Sequence, residues 1–86
     1  MARYKITFKK SVAKDLRVIP NNDVARILNR IEKLSENPRA EGCIKLSGQN
    51  KYRVRQGIYR IVYEIRDQLL VINVIKIAHR SIIYRR

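Results

Sequence analysis

The chain has 86 residues, carries 20 Lys and Arg against 7 Asp and Glu, and so has a formal charge of +13. Its length suffices for one modest core and not for two, and no segment approaches the roughly 18 uninterrupted apolar residues of a membrane span. Self-repulsion at this charge has to be offset by packing or by a bound acidic partner, so the composition points to polyanions: nucleic acid, an acidic protein, or both.

The opening MARYKITFKK alternates polar and apolar residues and lacks the continuous apolar run of a secretory signal, which predicts a cytoplasmic protein. Within it, Tyr4, Ile6 and Phe8 fall on one side and Arg3, Lys5 and Thr7 on the other, the period of a half-buried strand over residues 2–8. From Lys9 to Ile19, Val12, Leu16 and Ile19 recur at helical spacing, and Pro20 ends that helix, with Asn21 or Asn22 offering an N-cap for the next. Val24, Ile27, Leu28, Ile31 and Leu34 then mark a second helix from Asp23 to Glu36.

The stretch ENPRAEGCIKLSGQN reads as a long loop with room for a short extended piece at Cys43 to Leu46. Three closely spaced strands follow, Lys51 to Gln56, Ile58 to Arg66 and Leu69 to Ile77, and their short connections predict an antiparallel meander. LLVINVIKI is apolar on both sides, which places it inside the sheet. The order is β-α-α-β-β-β: one α+β domain over residues 1–86, a small antiparallel-rich sheet with two N-terminal helices packed on one face and the other face partly open.

Cys43 is the only cysteine, so neither an intrachain disulfide nor a cysteine metal cluster is expected, in keeping with a reducing compartment. The seven carboxylates and one histidine show no ligand spacing, and there is no Gly-rich phosphate loop, so no metal and no cofactor is predicted.

The functional signal lies in YRVRQGIYRIVYEI. With Gln56 and Gly57 as a two-residue loop, Arg55 pairs with Ile58 and Arg53 with Arg60. Tyr52, Val54, Tyr59, Ile61, Tyr63 and Ile65 then share the face under the helices, while Arg53, Arg55 and Arg60 share the opposite one. A loop one residue longer would put Arg53 and Arg60 on opposite faces. Like charges across a hairpin destabilise it, and a site for anions explains why they are there, since the planar guanidinium grips phosphate with two parallel hydrogen bonds. A returning third strand ends near Tyr59 and Arg60 and delivers His79, Arg80 and Tyr84 toward those arginines. Acid–base groups beside phosphate-holding arginines suit metal-free cleavage of RNA, in which the ribose 2′-hydroxyl is the nucleophile.

KITFKKSVAKDL, NPRAEGCIKLSG, the hairpin and the closing VIKIAHRSIIY, in that order, resemble the RelE/ParE toxin superfamily of toxin–antitoxin systems, over essentially the whole chain. The resemblance to the RelE-like branch implies a ribosome-dependent messenger-RNA endoribonuclease that is neutralised by an acidic antitoxin. It implies Arg53 and Arg55 as the basic pair of the second strand, Arg60 as the phosphate-stabilising arginine after the hairpin turn, Arg80 as a leaving-group or phosphate contact, and Tyr84 as the tyrosine that orients or stacks on the substrate. Arg55 stands where that branch has a catalytic lysine. Because arginine keeps its proton, proton transfer passes to His79 or Tyr84, or to ordered solvent. Members that use a histidine and a carboxylate add Glu64. The ParE-like branch implies the alternative, a DNA gyrase inhibitor without nuclease activity.

Overall fold

The computed structural model describes residues 3–46 and 50–83. Tyr84, assigned a substrate-orienting role above, lies outside the described residues.

Strand β1 (Lys5–Phe8) leads into α1 (Ser11–Arg17) and α2 (Asn21–Leu34), followed by β2 (Ile44–Lys45), β3 (Lys51–Gln56), β4 (Tyr59–Arg66), β5 (Val71–His79) and a last short helix α3 (Arg80–Ile83). The five strands form one sheet in the order β1-β5-β4-β3-β2. β1 runs parallel to β5, and the other neighbours are antiparallel. The expected α+β arrangement is therefore found, with β5 inside the sheet. Two elements extend it: the extended piece near Cys43 pairs with β3 as an edge strand, and the C-terminal segment opens a helix.

The apolar faces of the helices close over one side of the sheet. Val12 of α1 and Ile27, Ile31 and Leu34 of α2 are buried with Tyr52, Val54, Ile61, Tyr63, Ile65, Ile72, Val74 and Ile77. Leu28, although in phase with this stripe, is 41% exposed, and Phe8 at the end of β1 is 47% exposed. α2 begins at Asn21 without a side-chain cap: the Pro20 carbonyl accepts the N–H groups of Asp23 and Val24, so the helix starts two residues before the expected Asp23. No described helix is long and apolar enough to cross a membrane.

Two details of register correct the simpler reading. The hairpin loop is Gly57-Ile58, not Gln56-Gly57, so Arg55 faces Arg60 and Arg53 faces Val62. Gly57 has φ +62, the positive value required at the first position of a type II′ loop, and this choice lets Gln56 and Tyr59 close the ladder. The shift is of two positions, so every side chain keeps its face. The second detail is a bulge opposite Val62 and Tyr63. Val62 pairs with Lys76 and Tyr63 with Val74, leaving Ile75 as the extra residue. The bulge reverses alternation along β5, which is why LLVINVIKI reads as apolar on both sides: Ile72, Val74 and Ile77 all face the helices.

Candidate nucleic-acid interface at the hairpin end

Arg53 and Arg55 of β3 and Arg60 of β4 lie on the face of the sheet turned away from α1 and α2, at the end nearest the Gly57-Ile58 turn. Alternation alone achieves this, because their neighbours Tyr52, Val54 and Ile61 are drawn into the core. Arg55 is exposed and Arg53 half-buried. Arg60 is 3% exposed, and its Nη1 donates to the carbonyls of Tyr59 at 3.1 Å and Gly57 at 3.4 Å. Arg60 therefore braces the turn from inside while Arg55 meets solvent.

β5 returns antiparallel to β4, and the pairs Arg60–Ala78 and Tyr59–His79 bring its end to the same turn. The N–H of Arg80 donates to the Ile58 carbonyl at 2.8 Å, so the first residue of α3 is tied to the hairpin loop, with its side chain exposed. Arg53, Arg55, Arg60 and Arg80 are thus gathered at one end of the sheet.

His79 reaches the same end but faces the other way. It pairs with Tyr59, meets that ring edge-on at 6.2 Å, and lines a cleft of about 240 Å³ with Asp15, Ile19, Ile77 and Ile82 on the helix side. The expectation that its ring points at the arginines fails because of the bulge: strict alternation from Asn73 would have left residue 79 on the open face, and the extra Ile75 turns it over. Its Nδ1 accepts the N–H of Ser81 at 3.1 Å and lies 2.9 Å from Ser81 Oγ, which places the proton of the neutral ring on Nε2. Glu64 is four residues along β4 from Arg60, about 13 Å away. It accepts hydrogen bonds from Asn73 and Arg66 and so belongs to a different part of the open face.

A residue that sequence reasoning missed holds this end together. β1 pairs with β5 only as far as Val74, which leaves the outer half of that edge uncovered. Asp15 of α1 fills the gap: its Oδ2 accepts the Ile77 N–H and its Oδ1 the Lys76 ammonium, both at 3.1 Å. Its signal in the sequence was an acid in the otherwise basic SVAKDLR.

The opposite end of the sheet is fastened by a polar cluster. Arg39 grips Asp67 with two hydrogen bonds, at 2.8 and 3.1 Å, Tyr4 donates to the same carboxylate at 2.7 Å, and Arg39 also reaches the Tyr52 hydroxyl. The hydrogen bonds from Arg39 and Tyr4 pull the Asp67 carboxyl down to about 2. Burial, foremost, raises the Tyr63 phenol, which donates to the Pro38 carbonyl at 2.7 Å. Among the described residues, no group of three or more His, Cys, Asp or Glu side chains could hold a metal ion.

The family model described as the ParE toxin of the type II toxin–antitoxin system parDE matches residues 6–84. The chain belongs to the RelE/ParE toxin family. It is 27% identical over 85 residues to toxin RelG of Mycobacterium tuberculosis, a match that covers 96% of this chain and 98% of that protein. The archaeal RelE–RelB complex of Pyrococcus horikoshii contains a chain that is 30% identical with a TM-score of 0.82, over 94% of this chain and 98% of that one. The RelB–RelE antitoxin–toxin complex of Methanococcus jannaschii contains one that is 31% identical with a TM-score of 0.73, over 91% and 94%. These relatives put the chain in the RelE-like branch, as a type II toxin. The arginines at the hairpin end are therefore a feature of a RelE-like toxin.

Proposed function

We propose that this toxin is a ribosome-dependent messenger-RNA endoribonuclease, acting in the cytoplasm and held inactive by an acidic antitoxin of the RelB kind. The observation that carries the proposal is the gathering of Arg55, Arg60 and Arg80 at the hairpin turn of a +13 chain. In the reaction, the ribose 2′-oxygen attacks the adjacent phosphorus, the 2′-hydroxyl proton leaves to a base, the P–O5′ bond breaks, and the departing 5′-oxygen takes up a proton. The exposed Arg55 and Arg80 hold the phosphate and offset the charge that builds on its oxygens, with Arg53 beside them. The buried Arg60 adds a fixed positive charge behind them, where low local dielectric strengthens its field. Proton transfer falls to Tyr84 or to His79, and His79 has to give up its Ser81 hydrogen bonds and reach around the strand to take part. No metal or cofactor enters this route.

Primer extension on a defined messenger RNA, with and without translating ribosomes, tests the proposal. Wild-type protein is expected to cut only with ribosomes, and Arg55→Ala to cut far less while still binding antitoxin. The burial of Arg60 within the turn favours a second reading, because it gives this arginine a structural task that needs no RNA. If no RNA is cut and gyrase supercoiling is blocked instead, the chain is a ParE-like gyrase inhibitor.

A further inference from the structure

Arg80 opens α3, and a helix of four residues makes too few backbone bonds to hold itself in water. Its place therefore depends on what anchors its first turn, where the N–H groups find no partner inside the helix. Hydrogen bonds anchor it from both sides. The Arg80 N–H is bound by the Ile58 carbonyl, and the next N–H, that of Ser81, is bound by His79 Nδ1 at 3.1 Å. His79 thus stands at the N-cap, and its ring does for the second helical N–H what an asparagine or serine oxygen usually does. Packing adds less: Ile82 lines the cleft with Asp15, Ile19 and Ile77, yet it is 55% exposed.

From this arrangement, and resting on the nuclease reading above, we infer that His79 is a positioning residue for Arg80 and not the base of the reaction. The neutral ring has one basic nitrogen, Nδ1, and both the N–H and the Oγ of Ser81 lie within 3.1 Å of it. The ring cannot cap the helix and take a proton at the same time. Once protonated, Nδ1 can donate to Ser81 Oγ, but it no longer accepts the Ser81 N–H, and α3 loses its cap. The ionisable groups around the ring are Asp15 of α1, Lys76 of β5, Tyr59 of β4 and Arg80 of α3. Asp15 is the acid among them, and its oxygens already serve the Ile77 N–H and the Lys76 ammonium. Arg80 is therefore held at the hairpin tip by the neutral ring and let go by the charged one, and imidazole is the side chain that changes charge near neutral pH.

The test compares His79→Ala with His79→Asn. Asparagine carries Oδ1 as many bonds from the backbone as Nδ1, so it caps as well, but it takes no proton near neutrality. Cleavage of a defined messenger RNA with translating ribosomes is expected to fall about fivefold in His79→Ala, the usual worth of an N-cap, and His79→Asn should restore it to within about twofold of wild type. With each rate taken relative to wild type at the same pH, the asparagine variant should gain as pH falls. Removal of a general base would instead cost about 10²–10⁴-fold in both variants, and that result overturns the inference. A second arm needs no catalysis: the His79 ring and the Ser81 amide of the free toxin are followed by NMR through a pH titration. The amide is expected to shift with the ring in wild type and to hold its position in His79→Asn. An amide that ignores the ring overturns the cap. Thermal melts of both variants keep loss of fold separate from loss of the cap. If wild type cuts no RNA, the nuclease reading fails, and the NMR arm still decides whether His79 holds α3.

Discussion

Arg55 and Arg60 face each other directly across β3 and β4, one exposed and the other 3% exposed. Their roles separate on substitution. Arg55→Ala removes a like-charge neighbour, so stability is expected to hold or to rise by a few tenths up to ~1 kcal/mol while cleavage falls. Arg60→Ala strips the donor from the Tyr59 and Gly57 carbonyls and is expected to cost about 1–3 kcal/mol. Urea unfolding of both variants beside their cleavage rates would show the contrast. Equal loss of stability in the two would refute it.

Gly57 fixes the position of every group at this end. Its φ of +62 lies where a side chain is strained, although space for a Cβ is open. Gly57→Ala is therefore expected to destabilise by about 1–2 kcal/mol through the backbone alone. The same change should weaken the tether between Arg80 and Ile58, and faster amide exchange at Arg80 would report it.

Asp15 replaces a missing strand neighbour for β5. Asp15→Ala leaves the Ile77 N–H without its acceptor, at an expected cost of about 1–3 kcal/mol, whereas Asp15→Asn keeps an oxygen and should cost less. Amide exchange at Ile77 ought to accelerate in the alanine variant and change little at Ile72, which lies in the part of β5 covered by β1. Uniform acceleration along β5 would show instead that the carboxylate supports the whole strand.

Asp67 sets an acid limit on stability. Its carboxyl is held near 2 in the folded chain, below the unfolded value of 3.8, so the folded state favours the ionised form. That contribution is fully present above the unfolded value and is lost as pH falls through the folded one, a window from about 4 to 2. Asp67→Asn is expected to flatten the unfolding midpoint across that window, with Arg39→Ala acting in the same direction because Arg39 is the main cause of the shift. An acid limb that persists unchanged in Asp67→Asn would place the titrating group elsewhere.

The strand and helix periods were legible because burial imposes them directly: Tyr52, Val54, Ile61, Tyr63 and Ile65 alternate, and Val24, Ile27, Ile31 and Leu34 recur at helical spacing. The shared face of Arg53, Arg55 and Arg60 followed from the same alternation, and it survived a loop shifted by one residue, because that moves the cross-strand partners by two positions and leaves side-chain parity unchanged. Charge, length and the ordered motifs of the RelE/ParE family also belong to the sequence alone.

Other features depend on where distant segments meet. The bulge at Ile75 has no local signature in LLVINVIKI, because it is a mismatch between β5 and β4, and it alone decides that His79 faces the helices. Asp15 and Ile77 are 62 residues apart, and Asp23 comes to lie across a cleft from Gln56 only once α2 has packed on the sheet. The sequence determined which side chains must be buried and which must stay charged. Tertiary structure decided which of the charged ones meet, since that depends on the ends and irregularities of strands and not on their period.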